Sequence, residues 1–213
     1  KKVSVAGKEE LLPRPFIVMA TQNPLEQEGT YPLPEAQLDR FLMKLDFDYP
    51  DEDAERRVTV ETTGSSGDIR DLYNEAANKD LTVAEDKDEI SRIKPVLGKN
   101  DLILMQKLVR RIPLSKDVVN AITKIVREAR PSDPNASDFV KQNVSWGPGP
   151  RALQAFALAA KAHAVMDGRI YASVEDVLAV AGPVLDHRMA LSYEARANGQ
   201  TPTSVRKHLI NGL

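Results

Sequence analysis

The spacing of apolar residues changes along the 213-residue chain. In the first part, the apolar residues form short runs. Residues 16–20 are continuously apolar and follow a proline, which predicts a strand buried on both faces, as in a parallel sheet. Residues 41–48 alternate between apolar and polar side chains, which predicts a half-exposed strand near a sheet edge. Residues 3–5 indicate a further short strand, and residues 6–15 indicate a turn and a connection.

Helical spacing dominates from residue 100 onward. Apolar positions recur every three or four residues in two stripes, over 102–109 and 118–129, and Ser115 is the predicted N-cap of the second helix. Ser173 with Asp176 predicts a capping box, and Gly168 predicts the end of the alanine-rich helix before it. Helices are also predicted over residues 35–40, 51–62, 151–167 and 184–197.

These patterns divide the chain into three parts. Residues 1–60 are predicted to be part of an α/β domain with a parallel sheet, and residues 95–213 an all-helical domain. Residues 61–94 are rich in charged and flexible residues, and we interpret them as a linker or insertion with one short helix. The fold class is therefore a portion of a parallel α/β sheet followed by an all-α domain, with helices dominating overall.

Composition narrows the possible functions. Hydrophobic residues make up 42% of the chain, enough for a core, and the formal net charge of -2 argues against a dedicated nucleic-acid binder. The chain has no cysteine, which excludes disulfides and thiolate metal sites and fits a cytoplasmic protein. No apolar run reaches the roughly 20 residues of a membrane span, and the start does not resemble a signal peptide. Its three histidines are scattered, so no metal site is predicted.

The first candidate functional residue is Asn23, within the string ATQNP of residues 20–24. It follows the predicted buried strand, and ligands in open α/β sheets bind beyond the carboxyl ends of strands. Its neutral amide carries a donor and an acceptor, so it could orient a water beside a phosphate. The alternative is that Asn23 only forms a turn before Pro24.

The second candidate is Arg40, which ends a short predicted helix just before the predicted strand of residues 41–48. Arginine presents a rigid, permanently charged fork that suits phosphate oxygens. When a neighbouring subunit supplies such a residue, it can stabilise the charge on a transferring phosphoryl group. The alternative is a surface ion pair between Arg40 and either Asp39 or Glu35.

The third candidate is Arg151, which follows the Gly/Pro-rich turn WGPGP of residues 146–150 at the start of an alanine-rich helix. Helix N-termini attract anions, whereas an arginine there opposes the helix dipole. A bound anion would compensate for this position. The alternative is a turn that carries an exposed arginine.

Five stretches of the sequence together resemble the MoxR branch of AAA+ ATPases. They are ATQNP at residues 20–24, QEGTYPLPEAQLDRF at residues 27–41, GPGPRA at residues 147–152, and the pair formed by residues 186–188 and 193–195. The match over residues 15–41 is long and ungapped, which makes it more specific than any short motif. The resemblance covers residues 3–61 and 100–213, and residues 62–99 match less well.

The resemblance implies a role for each candidate residue. Asn23 would be sensor 1, Arg40 the arginine finger that reaches the nucleotide of the next subunit, and Arg151 sensor 2 in the helical lid. ATP and Mg²⁺ would be the cofactors. Relatives act as hexameric rings that remodel or mature partner proteins, often with von Willebrand A-domain proteins. The same activity, assembly and clients are therefore expected of the parent protein.

Two motifs of the family do not occur in the 213 residues. The phosphate-binding loop needs Gly-x-x-x-x-Gly-Lys-Ser/Thr, and Gly7 with Lys8 is followed by Glu9 instead. A Walker B strand ending in paired acids is also missing. We therefore expect the chain to be a piece of a longer protein. This piece would begin just after Walker B and would not hydrolyse ATP alone.

Three alternatives remain open at this stage. The chain could be a non-catalytic helical interaction module, or the subunit of a magnesium-chelatase type of ATPase, although residues 27–41 favour MoxR. It could also be a DNA-binding helical domain. The last possibility rests on basic residues that are interleaved with acids, a pattern typical of a solvated face. They are Arg110, Arg111, Lys124, Arg127 and Arg130.

Overall fold

The computed structural model describes residues 2–5, 7–22, 33–63 and 94–213. Their contacts divide the chain into two compact units. One comprises Lys1–Leu45 with Gly98–Leu213, and the other comprises Asp46–Leu97. Helices dominate the described residues, as the sequence predicts. None of the described helices is both long and apolar enough to cross a membrane.

The chain begins with an antiparallel hairpin. Strand β1, Lys2–Val5, pairs with β2, Lys8–Leu11, so that Val3 faces Glu10 across the ladder. Gly7 makes the turn with a φ of 81°, a conformation that glycine adopts without a Cβ clash. Strand β2 is a correction to the sequence analysis, which placed a turn and connection at these residues.

Two further strand predictions are wrong. Residues 16–20 form no strand and are largely exposed, with Met19 91% accessible. Residues 41–48 form no strand either, and Phe47 is 88% exposed. A strand exists only as part of a hydrogen-bonded ladder, and in the described part of the chain no strand pairs with either segment. The partner strands that these two predictions require are not among the described residues.

The two helices predicted before residue 64 are present. Helix α1, Glu35–Leu38, is a single turn that continues into a tight turn at residues 39–40. Helix α2, Glu52–Thr63, lies in the second unit, and the Asp51 carboxylate accepts the Ala54 amide at 2.7 Å at its start. This N-cap and the acidic first turn of α2 explain why the helix begins there.

The rest of the chain is a helical domain that includes one short two-stranded sheet. Its strands, β3 and β4, pair antiparallel and span Val144–Trp146 and Ala190–Leu191. Its helices are α3, Lys99–Arg111; α4, Lys116–Glu128; α5, Asp138–Asn143; α6, Pro150–Met166; α7, Val174–Ala179; α8, Ala181–Leu185; α9, Tyr193–Ala197; and α10, Pro202–Asn211. A 3-10 turn, Asp186–Arg188, follows α8.

The predicted single helix over residues 184–197 is therefore wrong. The structure breaks it into the end of α8, the 3-10 turn, β4 and α9. Met189 adopts an extended backbone, and the Ser192 hydroxyl accepts the Ala195 amide at 3.1 Å to start α9 anew. Ser192 competes with helix continuation because its side chain offers the backbone an alternative acceptor.

The predicted capping residues of the helical domain are confirmed. Ser115 accepts the Val118 amide at the start of α4, and Gly168, with a φ of 75°, ends α6. Asp176 accepts the Ser173 amide at 2.7 Å to start α7. Alanines on α6 let α3, α4, α7 and α8 pack against it closely, with Phe156 fully buried in the core.

Candidate functional site

The turn before α6 is held rigidly by the end of α4. Arg130 donates from Nε to the Pro148 carbonyl at 2.8 Å, and Pro148 is fully buried. Gly147 lies so close to α4 that a Cβ there would be 2.5 Å from the Ala129 carbonyl oxygen. These contacts set the position of Arg151, the second residue of α6.

We expect Gly147→Ala to destabilise the protein by about 1 to 3 kcal/mol, because the new methyl group would collide with main-chain atoms that cannot rotate away. Gly149→Ala is the matched control, since its Cβ would meet only the Asp39 carboxylate at 3.6 Å. Chemical denaturation of the protein measures both changes. Equal effects would show that the close approach at Gly147 does not limit stability.

Arg151 is paired with a carboxylate of the same chain. Its Nη1 atom lies 3.3 Å from Oδ2 of Asp39, which is buried. The first turn of α6 contains no acidic residue, so Asp39 supplies the negative charge that an arginine at a helix N-terminus requires. The sequence analysis expected a bound anion at this position, and the structure places a side-chain carboxylate there.

The other oxygen of Asp39 is bound by Arg188. Arg188 is 1% exposed, and its Nε donates to Asp39 Oδ1 at 3.1 Å. Burial lowers the pKa of Arg188, while the hydrogen bond and charge of Asp39 act in the opposite direction. The sequence places Arg188 in a stretch, residues 186–188, that carries the family resemblance, but it assigns no role to this residue. Its available signal was a charged residue between apolar α8 and the apolar residues that follow.

Arg40 lies next to this pair of contacts. Its amide donates to the Gln37 carbonyl at 3.1 Å, and its side chain is exposed and makes no ion pair with another residue that the structure describes. The expected alternative, an ion pair with Asp39, is replaced by the contacts of Asp39 with Arg151 and Arg188. The structure thus brings Arg151 to the loop that carries Arg40. Asn23 lies outside the described residues.

Further contacts hold residues 41–44 against α8. The Lys44 amide donates to the Pro183 carbonyl at 2.9 Å, and His187 Nε2 lies 3.4 Å from the Phe41 carbonyl. Burial, with the nearby charge of Arg188, lowers the pKa of His187 and favours its neutral form. The loop after α1 is therefore attached to the helical domain at several main-chain atoms.

A second polar cluster lies at the junction of α6 and α7. One atom each of His163, Asp167 and Asp176 lies within 4.8 Å of the others, which is a spacing that a metal ion could use. Arg169, however, donates to both oxygens of Asp176, at 2.8 and 2.5 Å. His163 Nδ1 is 2.7 Å from Asp176 Oδ1. The cluster therefore has the geometry of a buried ion pair.

Comparison with known proteins finds two family models within the chain. The model of the ATPase family associated with various cellular activities (AAA) matches residues 1–43, and the AAA lid domain model matches residues 137–208. The chain is 33% identical over 210 residues to Chaperone MoxR1 of Mycobacterium tuberculosis, covering 99% of the chain and 49% of that protein. It is 29% identical to Protein MoxR of Paracoccus denitrificans, covering 88% of the chain and 52% of that protein.

The chain belongs to the MoxR family of AAA+ ATPases. The fold agrees with a crystal structure of a candidate ATPase from Cytophaga hutchinsonii, with a TM-score of 0.81 and 29% identity over all of this chain and 58% of that one. The MoxR-type chain spans about half the length of the curated relatives that it matches.

The family match gives the Asp39 contacts a new meaning. Asp39 and Arg40 lie within the AAA match, whereas Arg151 and Arg188 lie within the lid match. The two ion pairs of Asp39 therefore join the AAA portion of this MoxR-type chain to its lid. Asp39 therefore lies at a contact between the residues of the AAA match and those of the lid match.

Proposed function

We propose that this chain is the nucleotide-sensing and lid portion of an ATPase that couples ATP hydrolysis to the remodelling or maturation of partner proteins. The observation that carries the proposal is the Arg151–Asp39 contact at 3.3 Å, which ties an arginine at a lid helix N-terminus to the loop with Arg40. Both arginines expose their side chains, so both can reach a ligand. Family membership supplies the reaction class.

Three residues would carry the nucleotide-dependent roles. Arg151 would act as sensor 2, because a half-exposed guanidinium at a helix N-terminus suits phosphate oxygens. Arg40 would act as the arginine finger in the site of a neighbouring subunit. Asn23 would act as sensor 1, a role that rests on its place in the ATQNP string alone.

The cationic groups of the described residues fit the phosphates of ATP. Arg151 would bind them in its own subunit, and Arg40 would offset their charge in the next one. ATP with Mg²⁺ would supply the phosphoryl group and a cation that neutralises it. Asp39 and Asp176 are not assigned to Mg²⁺, because Asp39 is already bound by two arginines and Asp176 by Arg169.

Asp39 would serve as the resting partner of Arg151. Their contact is long at 3.3 Å, and the Arg151 side chain is 53% exposed, so a phosphate could compete for the guanidinium. Moving Arg151 from Asp39 to a phosphate would shift the lid as a rigid body relative to the AAA portion outside residues 39–42. In this way the state of the bound nucleotide would determine the position of the lid.

The assembly and clients are part of the same proposal. An arginine finger acts only between subunits, so the intact protein would form a homo-oligomer, with a hexameric ring as the expected form. Its clients would be proteins, and von Willebrand A-domain proteins are the first class to test. We further propose that it works in the cytoplasm.

The proposal predicts that Arg151→Ala in the intact protein raises the KM for ATP about tenfold, the loss expected for one charge-assisted hydrogen bond. Steady-state ATP hydrolysis and nucleotide binding measure the change. Arg127→Ala is the matched control, because Arg127 is also an arginine of the helical domain with a 53% exposed side chain and a buried carboxylate partner, Asp133.

Three outcomes would contradict the proposal in different ways. An intact protein that hydrolyses no ATP would favour a non-catalytic interaction module. Equal effects of Arg151→Ala and Arg127→Ala would remove the sensor role. ATP hydrolysis by the 213-residue chain alone, unaffected by Arg40→Ala, would show that the catalytic groups lie elsewhere.

A further inference from the structure

The guanidinium of Arg188 is surrounded by main-chain carbonyls on both sides of Arg40. Its Nη2 donates to the Asp39 carbonyl at 3.3 Å and to the Phe41 carbonyl. Its Nη1 donates to the Leu42 carbonyl at 3.4 Å and to the Val184 carbonyl. With Nε bound to the Asp39 carboxylate, all five N–H donors of Arg188 have acceptors.

This arrangement depends on the shape of arginine. A planar fork with five donors can bind four main-chain carbonyls and a carboxylate at once, whereas a lysine has three donors on one atom. Arg188 is also almost completely buried. The donors of a buried cation need hydrogen-bond acceptors. If residues 39–42 moved away from Arg188, several of its buried N–H groups would lose their acceptors, at a large cost in free energy.

We propose that Arg188 is a positioning residue that fixes the main chain around Arg40 to the lid, so that movement of the lid carries the arginine finger with it. The proposal rests on the proposed role of Arg40 as a finger. It goes beyond that role by naming the residue of the same subunit that aims the finger.

The shared carboxylate of Asp39 connects this positioning to nucleotide sensing. Arg188 binds Oδ1 and Arg151 binds Oδ2 of the same side chain. The contact of Arg151 with Asp39 therefore involves the same carboxylate through which Arg188 holds the loop that carries Arg40. The Lys44–Pro183 hydrogen bond at 2.9 Å attaches the same loop to α8 at a second point.

The test uses mixed rings of the intact protein. Acceptor subunits carry Arg40→Ala with a working ATP site. Donor subunits lack the lysine of the phosphate-binding loop, so they contribute only Arg40 to a neighbour. ATP turnover in the mixture then reports how well the donor subunit positions its finger in a site that is not its own.

We expect donor subunits with native Arg188 to restore turnover, and donors that also carry Arg188→Lys to restore at least about tenfold less, because small misplacements of a catalytic group cost this much or more. In unmixed rings, Arg188→Lys should lower kcat while the KM for ATP stays within about twofold. If Arg188 only stabilised the fold, Arg188→Lys would lower the melting temperature, but donors that assemble into mixed rings would still restore ATP turnover fully.

Arg206→Gln in the donor subunit is the control. Arg206 is a lid arginine paired with Asp186 at 2.8 Å, and it makes no hydrogen bond or ion pair with residues 39–42, all of which the structure describes. Its donors should rescue as well as native donors. If donors with Arg188→Lys rescue equally well, the positioning role is overturned. If native donors fail to rescue, the finger assignment of Arg40 is overturned instead.

Asp39→Asn covers the case in which Arg188→Lys subunits do not assemble. Asparagine keeps an acceptor for Arg188 but removes the charge that pairs with it, while the main-chain carbonyls remain. Reduced rescue by Asp39→Asn donors supports the positioning role, and full rescue contradicts it.

Discussion

Replacing Arg40 with alanine in the intact protein should lower ATP turnover about a thousandfold or more, the contribution of an arginine finger to phosphoryl transfer. ATP binding should change little, because the finger acts on the nucleotide of the neighbouring subunit. Steady-state hydrolysis and equilibrium nucleotide binding, measured on the same assembled sample, separate the two effects.

The structure explains why the fold should tolerate this change. The Arg40 side chain is exposed, and the buried contacts nearby belong to Asp39 and to the main chain of residues 39–42. Arg57→Ala, at an exposed arginine of α2, is the control for loss of a surface charge. Unchanged turnover in the Arg40 variant would rule out the finger assignment, and an equal loss in both variants would point to a general charge effect.

Replacing Asp176 with asparagine should cost about 3 to 5 kcal/mol of stability, the range for removing one partner of a buried ion pair. Asp176 is 0% exposed and accepts hydrogen bonds from Arg169, from the Ser173 amide and from the Ser173 hydroxyl. Asparagine has nearly the same shape but one donor in place of an acceptor, so Arg169 would lose its full charge partner. Chemical denaturation measures the change.

Asp167→Asn is a closely matched control. Asp167 pairs with the same guanidinium at 3.0 Å, but its side chain is 55% exposed. Since exposed ion pairs contribute little, this variant should change stability by less than about 1 kcal/mol. Similar losses for both variants would show that burial of Asp176 does not set the strength of the interaction.

The same cluster predicts an acid dependence. The hydrogen bonds from Arg169 hold the pKa of Asp176 below its ordinary value, and Asp176 in turn raises the pKa of Arg169. A carboxyl group with a lowered pKa in the folded protein stabilises the fold fully above its ordinary pKa of about 3.9 and loses that contribution as the pH falls further. The stability difference between the native protein and Asp176→Asn should therefore narrow below about pH 4. A constant difference down to pH 2 would contradict this ion pair as its source.

Much of the helical domain followed directly from local sequence. The caps at Ser115, Gly168 and Ser173 were predicted correctly, because a capping hydrogen bond involves residues only a few positions apart. The apolar stripe over residues 118–129 correctly predicted the helix that spans most of it. The family was also identifiable, because residues 15–41 carry a long ungapped match that does not depend on knowing the fold.

The strand predicted at residues 3–5 is confirmed by β1, but the other two strand predictions failed for a physical reason. The pattern of residues 16–20 and 41–48 describes surfaces that suit a sheet, but a strand forms only beside a partner. The helix predicted over residues 184–197 failed similarly. Its apolar residues have helical spacing, but Ser192 starts a new helix, and Arg188 binds carbonyls of residues 39–42, which are 146 to 149 positions away in sequence.

Sequence alone thus determined the family, the helices with strong local caps, and the candidates Arg40 and Arg151. Only the tertiary structure determined how Arg151 is connected to the loop that carries Arg40. No local pattern indicates that one carboxylate, Asp39, binds Arg151 and Arg188, since these residues are 112 and 149 positions away. Burial makes such a pairing strong, and burial is a property of the folded chain. The packing of the folded chain therefore determines that Asp39 is the partner of Arg151 and Arg188.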